Sequence, residues 1–209
     1  MISRPAVIVL AAGKGSRFLG IDHKLAQSLG GGLTVLGTTL QQAIASQLPV
    51  VVVTTAALAD VARRSVAARD VIIVPEVGTT ASGAQGMGHS IAAGVSARAG
   101  ASGWLILPGD MPRVQPATLQ AVAQQLAQNA VVYAQHNGRR GHPVGFSSEL
   151  YSELVALTGD EGARRLIARY PALAVNVDDP GVLVDVDTVE DLETVRRASV
   201  SAGGPDTRW

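Results

Sequence analysis

The chain has 209 residues, 47% of them hydrophobic but only 3% aromatic, and its 17 Lys+Arg balance its 17 Asp+Glu. Even charge argues against a non-specific nucleic-acid binder, and the absence of cysteine excludes a disulfide framework, a thiolate metal site and a cysteine nucleophile. No apolar run approaches a membrane span and residues 1–5 carry no signal-peptide pattern, so the expectation is a cytoplasmic protein with no membrane partner.

In chain order, apolar β-branched runs at 6–10, 50–54, 71–74, 104–107 and 131–135 predict strands. Helical spacing between them predicts helices over 35–46, 58–69, 89–99 and 116–129. Strand–helix alternation means an α/β fold with a mostly parallel sheet covered on both faces, its ligand crevice beyond the carboxyl ends of the strands. After about Val131 the rhythm changes to short strands, a turn-rich segment at 137–143 and two helices, which suggests a lid or half-domain laid over the sheet. The tail, residues 201–209, is expected to be disordered.

The first strand runs into Leu10-Ala11-Ala12-Gly13-Lys14-Gly15-Ser16-Arg17, with Lys24 following. A glycine-rich loop leaving a buried strand can bring main-chain N–H groups against phosphate with no Cβ in the way. Arg17 would add a planar fork and Lys24 a point charge, which suits a triphosphate. Phe18 stands where a dinucleotide fingerprint needs its third glycine, and no Walker A run exists. On its own, such a loop is also compatible with a plain strand–helix connection.

Asp110, in Leu107-Pro108-Gly109-Asp110, ends a buried strand, where a carboxylate is costly unless it meets a metal or a donor. Mg²⁺ usually binds through one or two carboxylates plus substrate phosphates. The other reading of Asp110 is a residue that only organises the Gly109 turn. In the 182–187 run, strand alternation would put Asp185 and Asp187 on one face, so either could be the second ligand, with Asp187 preferred. Asp187 or Thr188 would also suit the N-cap of a helix starting near Val189.

Gly83 to Gly94 combines glycines, Gln85, Gly88, His89 and Ser90 at a helix start, where free N–H groups attract anions or base edges. Ala92, Ala93 and Gly94 read as close helix–sheet packing. Gly138-Arg139-Arg140-Gly141-His142-Pro143 reads as a basic turn that could clamp an anionic acceptor or be an ordinary hairpin loop. Asp160 reads as a helix N-cap, and Arg164 as a surface residue with some reach toward substrate.

These motifs, in this order, resemble the molybdenum cofactor cytidylyltransferase group of the MobA-like nucleotidyltransferase superfamily. They are the 10–17 loop with Lys24, Gly86 to Gly94, Leu107 to Pro112, Gly141-His142-Pro143-Val144, Gly159 to Arg164, and Asp185 to Leu192. The resemblance implies a Rossmann-like three-layer α/β/α domain over residues 1–200, with a nucleotide-binding half (1–130) and an acceptor-binding or lid half (131–200). It implies transfer of a nucleoside monophosphate to the terminal phosphate of a phosphorylated acceptor, with pyrophosphate released. Carried over, Leu10, Ala11, Ala12, Gly13, Gly15, Ser16, Arg17, Lys24, Gly83, Gly88 and Ser90 bind nucleotide, and Arg17, Lys24 and Asp110 are catalytic. Asp110 and Asp187 (or Asp185) hold Mg²⁺, with Mn²⁺ as the alternative, and Arg140, Gly141, His142 and Pro143 face the acceptor.

Ala12 is associated in this family with CTP, and the acceptor implied is molybdopterin, with transient contact to a molybdoenzyme or its chaperone. The chain departs from the family pattern in Arg17-Phe18-Leu19-Gly20, which is one residue longer, in His23 before Lys24, and in a missing proline after it. Other readings stay open: a relative acting on a sugar phosphate, phospholactate or alcohol phosphate, or a nucleotide-binding accessory protein that delivers a cofactor. An NAD module is disfavoured by Phe18.

Overall fold

The computed structural model describes residues 3–13, 15, 18, 23–76 and 86–202, with side chains to 198. Elements in order are β1 (Ala6–Ala11), β2 (Ser28–Gly30), β3 (Leu33–Thr34), α1 (Val35–Ala45), β4 (Val50–Thr54), α2 (Ala59–Arg63), β5 (Val71–Ile73) and α3 (Met87–Ser96). There follow β6 (Gly103–Pro108), α4 (Pro116–Gln125), β7 (Val131–His136), β8 (Arg139–Ser147), α5 (Tyr151–Val155), α6 (Arg164–Arg169), β9 (Ala172–Asn176) and α7 (Val189–Ala202). Among the described residues, no helix is long and apolar enough to cross a membrane.

Seven strands form one sheet in the order β5-β4-β1-β6-β8-β7-β9, and β2 and β3 pair as a separate small ribbon. β1 runs parallel to β4 and β6, β4 to β5, and β7 to β9; only β8 is antiparallel to its neighbours. Side-chain alternation divides the core into two layers. Val7, Val9 and Ala11 face one cluster with Leu36, Leu119 and Leu192, from α1, α4 and α7. Ala6 and Ile8 face the other, with Ile91, Leu154 and Leu166, from α3, α5 and α6. This is a Rossmann-like three-layer α/β/α fold.

Local chemistry sets the helix starts. Thr34 Oγ1 accepts from Gly37 N–H at 3.0 Å to cap α1, and Pro116 opens α4. Thr188 and Asp191 form a reciprocal box at the start of α7: Asp191 N–H donates to Thr188 Oγ1 at 3.1 Å, and Thr188 N–H to Asp191 Oδ2 at 2.8 Å. Thr188, not Asp187, is therefore the cap, and Asp187 is left for other work. In α3, a Cβ on Gly94 would stand 2.3 Å from Ile8 Cγ2, so the helix backbone packs directly on the sheet, as the small residues predicted.

Several segments differ from the sequence reading. The helix expected over 58–69 is short: it ends at Arg63, where Ser65 N–H bonds back to Ala62 O at 3.0 Å and closes a tighter turn. Of the expected 137–143 turn, only Asn137 and Gly138 turn, both at positive φ, and Arg139 to Pro143 belong to β8. The strands after residue 130 extend the central sheet instead of covering it; of the helices that follow, α5 and α6 lie on one face and α7 on the other. Residues 180–183 form a 3-10 turn, and no ladder strand holds 182–187. Of the expected disordered tail, 203–209 lie outside the described residues.

Candidate active site

The end of β6 is pulled against the end of β1. Gly109 N–H donates to Leu10 O at 2.8 Å, and a Cβ on Gly109 would stand 2.9 Å from that oxygen, so only glycine lets the two strand ends approach this closely. Thr39 Oγ1 donates to Gly109 O at 2.9 Å and holds the turn from α1. Asp110 is thereby placed beside the glycine loop. From 76 residues further along, Val186 N–H donates to Asp110 O at 2.9 Å, which brings Asp187 to the same place. Val186 is buried while Asp185 is exposed, so Asp187 is the carboxylate turned inward.

Lys24 lies between the two carboxylates. Its Nζ is 2.6 Å from Asp110 Oδ2 and 2.6 Å from Asp187 Oδ1, and the three side chains are 12%, 18% and 15% exposed. Burial works to lower the Lys24 pKa, but the charges and hydrogen bonds of Asp110 and then Asp187 outweigh it and hold it above the ordinary lysine value. Asp110 Oδ1 is buried with no hydrogen-bond partner among the described residues. Two hard oxygen donors sharing one cation, with a further buried lone-pair oxygen beside them, suit a divalent ion. Among the described residues, no group of three or more His, Asp or Glu forms a fuller ligand cage, so substrate oxygens or water would complete the shell.

His23, one of the departures from the family pattern, stabilises the loop. Its Nδ1 accepts from Leu25 N–H at 3.2 Å, which leaves the proton on Nε2, 3.0 Å from Gly13 O. Gly15 turns beside it at φ +59°, a conformation that favours glycine. His23 thus ties the glycine loop to the turn that carries Lys24.

A cleft of about 760 Å³ opens on the α3–α6 face of the sheet at this point. Of the residues singled out in the sequence, Leu10, Ala12, Gly13, Gly15, Lys24 and Asp110 line it. So do Ser90, His142 and Asp187. Ala11 points into the opposite core layer. Gly88 is turned to the 158–160 segment: its N–H donates to Gly159 O at 2.9 Å, and a Cβ there would meet Thr158 O at 2.6 Å. One N–H at the start of α3 is therefore already used, not open to an anion. Ser90 Oγ is 3.5 Å from Gly86 O, within its own helix. Lys14, Ser16, Arg17, Gly83 and Gln85 lie outside the described residues.

β8 places its residues by parity. His142, Val144 and Phe146 face the cleft. Gly141 and Gly145 face the other layer, where a Cβ would strike Val182 O and Leu126. Arg140 stacks on the Tyr133 ring, 4.7 Å from its centroid, and with Pro143 it does not line the cleft. Burial lowers the His142 pKa, against a backbone hydrogen bond at Ile106 and the charge of Asp110, and its Nδ1 is buried without a partner among the described residues.

The sequence, through the Gly86 motif and the reach of Arg164 toward substrate, reveals only part of the roof of the cleft. Gly86, Met87, Asp160, Ala163, Arg164 and Ile167 line it, and Asp160 makes no cap, since Ala163 stands at the start of α6. Gly86 has no room for a Cβ, which would lie 2.4 Å from Asp160 Oδ1, so this turn is docked on the start of α3. The pairing of Gly86 and Gly88 with a glycine-rich 159–162 turn was the available signal.

Residues 7–175 match the MobA-like NTP transferase domain. The chain belongs to this family. It is 38% identical over 119 residues to the purine catabolism protein PucB of Bacillus subtilis; the match spans 54% of this chain and 58% of PucB, little more than half of that relative's length. The structure of Rv0371c from Mycobacterium tuberculosis in complex with manganese is 26% identical, with a TM-score of 0.72, covering 94% of this chain and all of that one. A nucleotidyl transferase from Methanothermobacter thermautotroptrophicus, Mth528, has the same fold at 24% identity, with a TM-score of 0.78 and coverage of 96% and 99%. A protein of this fold is thus known in complex with manganese; here Asp110 and Asp187 bring two carboxylates together.

Proposed function

We propose that this MobA-like enzyme transfers CMP from CTP to the terminal phosphate of a molybdopterin-type acceptor and releases pyrophosphate. The observation that carries the reading is the meeting of Lys24, Asp110 and Asp187 at the end of β6, beside the glycine loop. β6 lies between β1, which supplies that loop, and β8, which supplies His142, Val144 and Phe146. The nucleotide would occupy the β1 side and the acceptor the β8 side, so the two meet over Asp110. Ala12 on the nucleotide side favours CTP through the family resemblance.

Chemically, an acceptor phosphate oxygen attacks the α-phosphorus, the bond to the β-phosphate oxygen breaks, and pyrophosphate leaves. Main-chain N–H groups of the glycine loop orient the triphosphate, and Lys24 offsets charge gathering on the departing pyrophosphate. When bound at Asp110 and Asp187, Mg²⁺ would supply Lewis-acid stabilisation of that charge. On the acceptor side, Ile106, Val144 and Phe146 form an apolar floor, Arg164 brings a cation to the rim, and His142 Nδ1 offers a buried lone pair or proton.

The test is pyrophosphate release with CTP, GTP, ATP and UTP, each with molybdopterin and with a panel of sugar and alcohol phosphates. CTP with molybdopterin should be fastest. Turnover confined to another acceptor would move the acceptor assignment, and nucleotide binding without pyrophosphate release would favour a delivery role.

A further inference from the structure

We infer that Lys24 is the resident counter-ion of the Asp110–Asp187 pair, so that a divalent ion is accepted there only when a nucleotide's phosphates draw the lysine away. The inference rests on the reading that these carboxylates hold the metal, and it assigns an order to their loading. One ammonium nitrogen sits 2.6 Å from an oxygen of each carboxylate, in a place where all three side chains are largely buried. Without a cation, two carboxylates at this separation would repel each other in a poorly solvated site. A dication arriving at the same oxygens would stand beside the ammonium, and like charges so close repel strongly. The lysine must therefore leave, and leaving without a new anionic partner would strand a partly buried charge. A triphosphate in the adjoining glycine loop supplies that partner.

Asp110 Oδ1, buried and without a partner among the described residues, is the second sign of a ligand: Lys24 satisfies Oδ2 and leaves Oδ1 open to one. His23 makes the exchange local, since it ties the glycine loop to the turn that carries Lys24. Metal and nucleotide then bind with positive coupling, and by linkage each tightens the other by the same factor. The enzyme would select the metal–nucleotide complex over the free ion.

The experiment is a titration with Mn²⁺ alone, read by its electron paramagnetic resonance signal, on wild type and Lys24→Met. The expected result is free-Mn²⁺ affinity at least about tenfold higher in Lys24→Met than in wild type, with a smaller gain on adding CTP. If Lys24→Met does not hold the fold, Lys24→Gln carries the same comparison. Adding Asp110→Asn to Lys24→Met should erase the gained affinity. Equal Mn²⁺ affinity with and without the lysine, with binding still dependent on Asp110, would overturn the inference and leave the carboxylate site standing. A gain that survived Asp110→Asn would contradict both.

Discussion

Two buried carboxylate sites lie on either side of the chain's crossover into its last helix, and they are built in opposite ways. Asp179 is 2% exposed and fully satisfied: it accepts from Gln115 N–H at 2.9 Å, Thr118 Oγ1 at 2.7 Å and Gly181 N–H at 2.9 Å. It ties the start of α4, which has no cap of its own, to the turn at 180–183. Asp110 and Asp187 instead meet at Lys24, and Asp110 Oδ1 has nothing to accept from among the described residues. A carboxylate paired entirely within the chain is a fastening, whereas one left short of partners is prepared for something that arrives. The comparison separates stability from activity, and substitutions can attack each side of it.

The largest effect should come from Asp110→Ala. Turnover in the pyrophosphate-release assay should fall by roughly 10²–10³-fold or more, while the melting temperature stays within a few degrees of wild type. Normal divalent-dependent activity in this variant would remove Asp110 from the site. Asp179→Ala should do the reverse. Losing three hydrogen bonds to a buried carboxylate should cost on the order of 3 kcal/mol, or about 6–12 °C in melting temperature for a chain of this size, with kcat near wild type below the transition. A large loss of kcat at unchanged stability would show that the two sites are not distinct in kind.

These two carboxylate sites also show what the sequence could and could not reveal. Asp110 was legible because a carboxylate three residues past a Trp104 to Leu107 strand has few structural uses. The strands themselves were legible from β-branched runs such as 50–54. Asp179 was not, since an Asp-Pro-Gly run reads as an ordinary turn and its partners, Gln115 and Thr118, lie more than 60 residues away. β8 hid for a related reason. Arg, Gly, His and Pro are turn-rich, yet Gly141 and Gly145 are small because Val182 and Leu126 press on that face, and His142, Val144 and Phe146 alternate with them toward the cleft. Asp160 reads as a helix start, and Arg164 as a surface residue with some reach toward substrate, because the turn before α6 is placed by its docking on Gly86 and Gly88, some 70 residues earlier.

Smaller tests sharpen the same distinction. Arg164, at the acceptor-side rim, should act on binding of the second substrate: Arg164→Ala should raise the acceptor KM by about tenfold while leaving the CTP dissociation constant unchanged, and Arg164→Lys should recover part of it. An equal loss of CTP affinity would place Arg164 on the nucleotide side. Smallest is the pH effect at α7. Hydrogen bonds from Thr188 hold the Asp191 pKa below its ordinary value, so its ionised form stabilises the native state. That contribution is present above the unfolded carboxylate pKa and is lost as pH falls through the lower, native one. Thermal melts of wild type and Asp191→Ala should differ by about 1 kcal/mol or less at neutral pH and converge in acid. A difference unchanged at acid pH would contradict a charged box.

The central claim is that Asp110 and Asp187 together hold the divalent ion against the nucleotide's phosphates. It is tested most directly by anomalous diffraction from crystals grown with Mn²⁺ and CTP. The account predicts one peak within coordination distance of an oxygen from each aspartate and of the triphosphate, with Lys24 turned to the phosphates. A peak touching phosphate alone, with Lys24 still bridging the two carboxylates, would contradict it.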